Sequence, residues 1–250
     1  MTFALETRAL AKQFGGLKVT RDLSLGIVQG ARHAVIGPNG AGKTTVINLL
    51  TGVLKPNAGR ILLEGHDITD LPVHQRVLRG LSRTFQINQL YADLTPLETI
   101  GLVVSERLGR GGDWWRRMGT RDDVNVEIAE NLSRFHLLDV MNEPTATLPY
   151  GKQRLLEIAV AIAAKPRVLL LDEPAAGVPE GERHDILAVV AALPRDVTVL
   201  LIEHDMDLVF SFADRISVLV NGALLVEGEP ADVARDPRVK AVYLGEAADG

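Results

Sequence analysis

Cysteine is absent from the 250 residues, which excludes disulfide bonds and thiolate metal sites. Long apolar runs are absent too, because runs such as Val168–Leu171 and Val197–Ile202 fall far short of the roughly 20 residues that cross a bilayer. We therefore expect any membrane contact to go through a partner. No charged segment followed by an apolar one opens the chain, so the expected compartment is the cytoplasm.

Positive charge is not in excess either. The chain has 27 Lys and Arg against 32 Asp and Glu, a net charge of -5 and a pI near 5.7. This balance argues against a surface built to neutralise nucleic-acid phosphates, and no nucleic-acid partner is expected. A composition of 46% hydrophobic and 24% charged residues is typical of a folded protein, and the length favours one elaborated α/β domain over residues 1–250.

Three short apolar runs are each followed by polar residues. Ala34–Ile36 precedes a glycine-rich loop, Val168–Leu171 precedes Asp172, and Thr198–Ile202 precedes Glu203. Continuous aliphatic runs of this kind predict strands buried on both faces of a parallel sheet. Open α/β sheets bind ligands at the carboxyl ends of their strands, so these polar residues are the first candidates for a site.

Two other regions differ from this parallel core. Residues 3–28 and 60–68 predict shorter strands with turns at Gly15-Gly16, Gly30 and Gly65–Asp67, and hence an antiparallel sheet beside the core. Between about 88 and 164 the strand signal disappears, which predicts an inserted helical subdomain. The core is then expected to comprise about 1–87 and 165–250.

Two helices of the insert are predicted in detail. One starts at Thr95-Pro96-Leu97-Glu98, which combines a hydroxyl N-cap, a proline at the first helical position and a glutamate three residues after the cap. The other is predicted from about Asp123 to Leu138. Its apolar residues, spaced by three and four, are Val124, Ile128, Leu132, Phe135 and Leu138.

A P-loop pattern, G-x-x-x-x-G-K-T, follows the first apolar run and precedes a helix. Its glycines let backbone N–H groups approach phosphate oxygens, and the helix adds its positive dipole end. Lys43 is expected to meet the β- and γ-phosphates of ATP, with Thr44 on Mg²⁺. An ordinary strand-to-helix turn is the alternative. The residues predicted to bind nucleotide here are Asn39, Gly40, Ala41, Gly42, Lys43, Thr44 and Thr45.

Two adjacent carboxylates, Asp172 and Glu173, end the second apolar run. Asp172 is predicted to hold Mg²⁺ directly or through water, and Glu173 to orient and deprotonate the attacking water. An apolar run followed by Asp-Glu is often only a solvated strand end. Its combination with a P-loop is what favours a hydrolytic site.

The order P-loop, glutamine, signature segment, Asp-Glu, histidine is that of ABC ATPases, and the chain resembles that family. The resemblance implies that Gln86 reaches Mg²⁺ or the attacking water and transmits that state to a membrane subunit. It also implies that His204 contacts the γ-phosphate. The remaining histidines are expected to be structural or solvated, with no zinc site: His33, His66, His74, His136 and His184.

The signature segment, usually LSGGQ, corresponds to Leu148–Lys152, and the family's geometry aims the helix that follows at the γ-phosphate on the opposite subunit. Tyr150, Gly151 and Lys152 are therefore predicted to contact nucleotide. Pro149 in place of serine and Lys152 in place of glutamine depart from the pattern. A first-turn cation opposes the helix dipole, although beside a phosphate it would help. A plain helix start with no role in trans is the alternative.

Two further positions follow from the resemblance. Phe14 matches an aromatic residue that stacks on adenine, which requires an exposed ring, whereas an ordinary core phenylalanine is the alternative. Residues 174–180 match the D-loop, where paired ATPase subunits touch each other's sites. Pro179 replaces the asparagine expected there.

Within the family the chain is most similar to the LivG branch, over nearly its whole length. The segments that carry this similarity are Phe14–Leu17, Arg83–Gln86, Leu148–Gly151, Asp172–Gly177, Ile202–Met206 and Asp236–Val239. The branch implies import of branched-chain amino acids or a related small polar solute. Its partners are a second ATPase subunit (identical or related), transmembrane permease subunits and, indirectly, a solute-binding protein.

An insertion at residues 109–117 also resembles this branch. Its Trp114 and Trp115, beside two arginines, are expected either to touch the permease or lipid headgroups or to be buried within the insert.

Three functions compete at this point: a transporter ATPase, an ABC ATPase acting on nucleic acid or ribosomes, and a weakly catalytic partner that binds ATP for assembly. ABC ATPases that act on nucleic acid or ribosomes usually join two cassettes or carry a long coiled coil, and this sequence shows neither. The unusual Lys152 and Pro179 favour the third function. The intact Lys43, Asp172, Glu173 and His204 oppose it.

Overall fold

Strands and helices alternate along the chain in the computed structural model, which describes residues 2–84, 90–109 and 122–246. The strands are β1 (Phe3–Phe14), β2 (Leu17–Val28), β3 (Arg32–Ile36), β4 (Ala58–Leu63), β5 (His66–Asp67), β6 (Leu81–Arg83), β7 (Val168–Asp172), β8 (Thr198–Ile202), β9 (Arg215–Val220) and β10 (Ala223–Gly228). The α-helices are α1 (Lys43–Thr51), α2 (Val73–Leu78), α3 (Pro96–Arg107), α4 (Asp122–Arg134), α5 (Tyr150–Ala163), α6 (Glu180–Ala191), α7 (Met206–Phe212), α8 (Pro230–Arg235) and α9 (Pro237–Glu246).

The predicted parallel sheet is confirmed. A six-stranded sheet has the order β10-β9-β3-β8-β7-β6, in which every pair is parallel except β10 with β9. The three apolar runs are the adjacent strands β3, β8 and β7, and every residue of these strands is buried. Because parallel strands end at the same edge, the P-loop, the Asp-Glu pair and Glu203 begin at one edge of the sheet.

The predicted antiparallel sheet is also confirmed, with the order β2-β1-β4-β5. Its strands differ in length from the prediction, since β1 and β2 are continuous over 12 residues each. The pairing of β1 with β2 contains register shifts, and one of them spans Ala9, whose φ is 50°. These shifts interrupt the alternation of apolar and polar residues, but they do not end the strands. The predicted turn at Gly65–Asp67 lies at Glu64-Gly65 instead, because His66 and Asp67 pair with β4 as strand β5.

The chain divides into two compact units. The first comprises Met1–Arg83, Arg167–Glu173 and Leu193–Gly250 and contains both sheets. Its core combines residues of the antiparallel sheet, such as Leu5 and Ile61, with Val35 and Leu170 of the parallel sheet and Ile47 of α1. The P-loop helix α1 is thereby anchored by burial of its apolar face.

The second unit comprises Thr84–Pro166 and Pro174–Ala192. Its described residues contain helices and no strand, as the sequence predicts for 88–164. Helices α3, α4 and α5 contact one another through buried apolar side chains. Residues 174–192, which carry α6, also belong to this unit.

The start of α3 is the predicted capping box. The Thr95 hydroxyl accepts a hydrogen bond from the Glu98 N–H, and the Glu98 carboxylate accepts one from the Thr95 N–H, with Pro96 at the first helical position. Two N–H groups that would otherwise lack partners are satisfied.

The end of α4 differs from the prediction, because the helix stops at Arg134 rather than Leu138. His136 turns the backbone into the left-handed region at φ 53°. The Leu137 N–H then donates to the Leu132 carbonyl and the His136 N–H to the Ser133 carbonyl, which is a Schellman motif. Leu132 and Leu137 are both buried, whereas Leu138 beyond the turn is 49% exposed.

A buried histidine connects the strands of the parallel sheet. His33 of β3 is completely buried, and its Nε2 lies 2.8 Å from Ser217 Oγ of β9. The Ser217 hydroxyl donates to Glu227 of β10 at 2.9 Å. Burial in an apolar sheet disfavours the imidazolium and lowers the pKa of His33 to about 4 from its ordinary value of 6.5, an effect that Glu227 partly opposes.

This histidine should make stability depend on pH. Because its folded pKa is lowered, its contribution is fully present above pH 6.5 and is lost as pH falls toward 4. Between pH 7.5 and pH 5 the free energy of unfolding should fall by about 2 kcal/mol more in the wild type than in His33→Gln. Urea unfolding at both values measures the difference.

The matched control is His66→Gln, since His66 is exposed on β5. It should keep the full pH dependence of the wild type. If the free energy of unfolding falls equally in the wild type and in His33→Gln between pH 7.5 and pH 5, His33 does not cause the pH dependence.

Candidate nucleotide site

The P-loop connects the end of β3 to the start of α1, as the sequence predicts. Gly37 and Gly42 have φ of 154° and 96°, and a Cβ at these positions would lie 2.1 Å from the Leu219 carbonyl oxygen and 2.8 Å from the Val19 carbonyl oxygen. Only glycine fits both positions. Asn39, Gly40 and Thr44 are exposed around this turn, so their polar groups are accessible to a ligand.

Lys43 is the first residue of α1 and is only 9% exposed. Its Nζ donates to the carbonyl oxygens of Gly37 and Pro38, at 2.5 and 3.0 Å. The ammonium group therefore lies over the loop, next to the helix N-terminus. This arrangement concentrates positive potential where an anion would bind.

Asp172 lies at the end of β7 and is 3% exposed. Its Oδ2 accepts a hydrogen bond from Arg83 Nη2 at 2.8 Å, and Arg83 Nη1 donates to Asn48 of α1 at 2.8 Å. Burial raises the pKa of the Asp172 carboxyl, while the charges of Arg83 and Lys43 oppose that rise. The carboxylate is thus oriented by a neighbouring strand and lies within the field of the P-loop lysine.

Glu173 has a left-handed backbone at φ 49°, which is unfavourable for an L-residue other than glycine. Its N–H donates to the Ile202 carbonyl of β8 at 2.9 Å, which holds this conformation. The turn directs the Glu173 carboxylate to within 3.8 Å of His204 Nδ1. Strained backbone of this kind concentrates at functional sites.

His204 follows β8, and its side chain is 65% exposed. Its Nδ1 also lies 3.8 Å from an oxygen of Glu203, which is 2% exposed and accepts a hydrogen bond from the His204 N–H at 3.2 Å. The first unit therefore brings the imidazole and the two carboxylates together at one strand end.

Phe14 ends β1 and is 47% exposed, and Lys12 Nζ lies 5.3 Å from its ring centroid. The alternative that Phe14 is a core residue is wrong. The exposed ring meets the condition for stacking, although adenine stacking itself stays a prediction.

The signature segment lies in the second unit, where α5 begins at Tyr150, close to the predicted start at Gly151. Pro149 is the N-cap residue, and no side chain of the described residues caps the helix start. Leu148 and Gly151 are buried. A Cβ at Gly151 would lie 2.3 Å from a carboxylate oxygen of Glu182, so an acidic side chain already lies close to this helix start, and the phosphate site expected there stays a prediction.

Lys152 already has an anionic partner in this unit. Its Nζ lies 2.9 and 3.1 Å from the two carboxylate oxygens of Asp139 and also donates to the His136 carbonyl. The hydrogen bond from Lys152 lowers the pKa of the Asp139 carboxyl. Its charge is therefore balanced without a phosphate.

Sequence reasoning missed two arginines. Arg83 was noted only as part of a similar segment, although it ends the strand that neighbours β7. Arg154 bridges Tyr150 and Glu157, four residues before it and three after it. Side chains at these spacings are neighbours on a helix, which was the available signal.

Three residues named from the sequence, Gln86, Trp114 and Trp115, lie outside the described residues. Among the residues that are described, no group of three or more His, Cys, Asp and Glu side chains could hold a metal ion. Within residues 2–84, 90–109 and 122–246, no helix is both long and apolar enough to cross a bilayer.

Comparison with known families gives two matches. Residues 20–176, more than half of the chain, match the family described as "ABC transporter". Residues 223–249 match the family described as "Branched-chain amino acid ATP-binding cassette transporter".

Similar curated proteins cover nearly the whole chain. The high-affinity branched-chain amino acid transport ATP-binding protein BraF of Pseudomonas aeruginosa is 41% identical over 97% of this chain and 98% of its own length. LivG of Escherichia coli K12, which carries the same description, is 38% identical over the same shares.

Solved structures agree with the fold. A nucleotide-free ATP-binding cassette from an ABC transporter has a TM-score of 0.82 and 30% identity, covering 97% of this chain and 99% of that one. The ADP conformation of an ATP-binding cassette has a TM-score of 0.82 and 31% identity, covering 98% and 99%. The resemblance seen in the motifs thus extends over the whole chain, which belongs to the ABC transporter family as an ATP-binding ATPase subunit.

Proposed function

We propose that this chain hydrolyses ATP to drive import of branched-chain amino acids or a related small polar solute. The observation that carries the catalytic part is the convergence of Lys43, Asp172, Glu173 and His204 at one edge of the parallel sheet. The substrate class rests on the match of residues 223–249 and on the names of the similar proteins.

ATP binds with its phosphates on the P-loop. Lys43 neutralises the β- and γ-phosphates, and N–H groups within Asn39–Thr45 donate to phosphate oxygens. Phe14 stacks on the adenine ring. The carbonyl oxygens that hold Lys43 are part of the loop itself, so the ammonium group already lies at the loop that is proposed to hold the phosphates.

The donor set of the site fits Mg²⁺. A buried carboxylate, Asp172, and an exposed hydroxyl, Thr44, are hard oxygen ligands, and magnesium sites commonly combine one or two such groups with substrate phosphates and waters. Arg83 occupies one oxygen of Asp172, which leaves the other for a direct or water-mediated contact. Mg²⁺ bound there neutralises charge on the phosphates, and Gln86 is proposed as a further ligand.

Hydrolysis requires a base and an orienting group. Glu173 accepts the proton of the attacking water, because its carboxylate directly follows Asp172 at the end of β7, on a backbone held by the Ile202 carbonyl. His204, 3.8 Å from Glu173, contacts the γ-phosphate. Both proposed roles follow from the positions of Glu173 beyond the end of β7 and of His204 beyond the end of β8.

The nucleotide is sandwiched between two ATPase subunits, identical or related. The signature helix α5 has an N-terminus without a side-chain cap among the described residues, which suits a phosphate bound by the opposite subunit. Tyr150, Gly151 and Lys152 are the signature residues proposed for that contact. The two units then act as one ATPase domain of residues 1–250, since each composite site needs a P-loop and a signature segment.

Transport itself needs further partners. Transmembrane permease subunits supply the pathway and hold this subunit at the inner face of the membrane, and a solute-binding protein acts through them. ATP-driven closure of the ATPase pair is the step that does work on the permease.

The P-loop assignment has a direct test. Lys43→Ala should abolish measurable Mg-ATP hydrolysis, because the ammonium group serves the phosphates. The free energy of unfolding should change by no more than about 1 kcal/mol, since the lysine contributes little to the core. Steady-state turnover and urea unfolding measure the two effects.

Lys165→Ala is the matched control, because Lys165 is an exposed lysine paired with Glu127 at 3.2 Å. It should turn over ATP at the wild-type rate. ATP should also raise the melting temperature of the wild type and the control more than that of Lys43→Ala. Wild-type turnover by Lys43→Ala would contradict the assignment.

The role of Lys152 is tested by a pair of variants that break the same ion pair from opposite ends. If Lys152 leaves Asp139 to serve the phosphate of the opposite subunit, Lys152→Ala should lower turnover. Asp139→Asn, which frees the lysine, should keep or raise it. Affinity of the isolated subunit for ATP should not change in either variant.

Equal losses in the two variants would show that the ion pair only stabilises the turn after α4. Lys152→Gln, which restores the usual residue of the family, should retain more activity than Lys152→Ala. Turnover equal to the wild type in Lys152→Ala would mean that this lysine does not act on the nucleotide.

The two-subunit mechanism is tested by Glu173→Gln, which removes the base but keeps its shape. Loss of a general base typically lowers the rate about 10²- to 10⁴-fold, so ATP should close the pair without being split. Light scattering with Mg-ATP at matched protein concentration should show more dimer for the variant than for the wild type.

A variant that stays monomeric alone but pairs with a related ATPase subunit would assign a heterodimer. The assigned role of Glu173 and the paired mechanism are both wrong if neither pairing forms and hydrolysis continues at the wild-type rate.

A further inference from the structure

The start of α5 is tied to the loop that precedes α6. The Tyr150 hydroxyl donates to the Ala176 carbonyl at 3.2 Å. The loop is a tight turn, closed by a hydrogen bond of 3.2 Å from the Val178 N–H to the Ala175 carbonyl. The two segments lie 26 residues apart in sequence but are joined within the second unit.

Gly177 allows the phenol to lie directly on this loop. Its φ is 77°, and a Cβ there would be 3.1 Å from the Tyr150 hydroxyl and 3.3 Å from its ring carbons. Any larger residue would both strain the turn and push the ring away. The contact is therefore close packing as well as a hydrogen bond.

Arg154 fixes the phenol from the other side. Its Nη2 donates to the Tyr150 hydroxyl at 2.6 Å, and its Nη1 donates to the Glu157 carboxylate at 2.8 Å. The side chains of Arg154 and Glu157 are only 5% and 9% exposed. Because the guanidinium donates to the phenol oxygen, the phenol proton is directed to the Ala176 carbonyl.

We propose that Tyr150 and Arg154 form a clamp that positions the 174–178 loop against the signature helix, so that the two segments move as one body. This clamp comprises the Tyr150 hydroxyl, the Arg154 guanidinium and the Ala176 carbonyl. Tyr150 and Arg154 are in this respect positioning residues. The inference rests on the proposed function, in which both segments act on the nucleotide of the opposite subunit.

The clamp has a kinetic consequence. The 174–178 loop follows Glu173 directly along the chain, so its conformation bears on the residue that activates water. In an isolated subunit, the proposed ATP binding at the P-loop uses no group of the clamp. Loss of the clamp should therefore lower kcat while leaving the ATP affinity of the isolated subunit unchanged.

A different role for Tyr150 is direct contact with nucleotide, as its position in the signature segment predicts. The ring is 38% exposed, so such a contact is sterically open. Glu157 separates the two roles, because it lies seven residues beyond Tyr150, its side chain is only 9% exposed, and it contacts Arg154. A change at Glu157 should matter only if the clamp matters.

The experiment compares Tyr150→Phe with Tyr91→Phe. The first deletes the clamp hydroxyl and keeps the ring, whereas the second deletes the hydroxyl of a tyrosine that is 69% exposed in the same unit. In Tyr150→Phe, kcat should fall about tenfold because catalytic groups are misaligned. ATP affinity, measured on the isolated subunit by titration, should stay within about twofold of the wild type. Tyr91→Phe should match the wild type in both.

Glu157→Gln is the second variant and should lower kcat in the same direction as Tyr150→Phe. Amide hydrogen exchange of residues 174–180 in the isolated subunit should be faster in both variants than in the wild type. This measurement needs no ATP turnover, so it tests the clamp even if the wild type fails to hydrolyse ATP, a result that would overturn the proposed function instead.

Three results would overturn the clamp. The first is a wild-type kcat in Tyr150→Phe. The second is a lower kcat in Tyr150→Phe with unchanged exchange of 174–180 and a normal Glu157→Gln, which would assign the hydroxyl to direct contact with nucleotide. The third is a loss of ATP affinity in the isolated Tyr150→Phe subunit that is as large as the loss of kcat. That result would assign Tyr150 to nucleotide binding in its own subunit.

Discussion

The burial of one carboxylate at a strand end is the constraint on which the site depends. Asp172 has almost no contact with water, and an ionised carboxylate in such a position is stable only beside compensating charges and hydrogen bonds. Arg83 from β6 and Lys43 from the P-loop supply them, one by direct contact and one through its field. The strand order places Arg83 beside Asp172, and the P-loop places Lys43 near it. Arg83 also contacts Asn48 and so connects helix α1 to the same carboxylate.

Much of the fold could be predicted because its signals are local. The buried strands appear as continuous apolar runs, the P-loop as glycines at fixed spacing, and the start of α3 as four residues of a capping box. Each pattern is determined by neighbouring residues in the chain. The candidate site followed for the same reason, since parallel strands that carry polar residues at their ends deliver them to one edge of a sheet.

The rest could not be predicted because it depends on pairings between distant residues. Arg83 meets Asp172 only because β6 lies beside β7, and Lys152 meets Asp139 only because the chain reverses after α4. That reversal was itself missed, since a histidine in a left-handed conformation gives no strong sequence signal. The clamp between Tyr150 and Ala176 likewise joins a side-chain hydroxyl to a backbone carbonyl 26 residues away in sequence.

The left-handed backbone at Glu173 has an evolutionary consequence. Glycine would adopt that conformation with about 1 kcal/mol less strain, so the residue that best suits the fold at this position is not the one that the proposed hydrolysis requires. Selection for thermal stability alone would favour losing the carboxylate, and with Glu173 as the proposed base, selection for turnover would retain it. A chain of this fold that drifts away from catalysis should therefore tend to change first at this position, while its sheets and its P-loop persist.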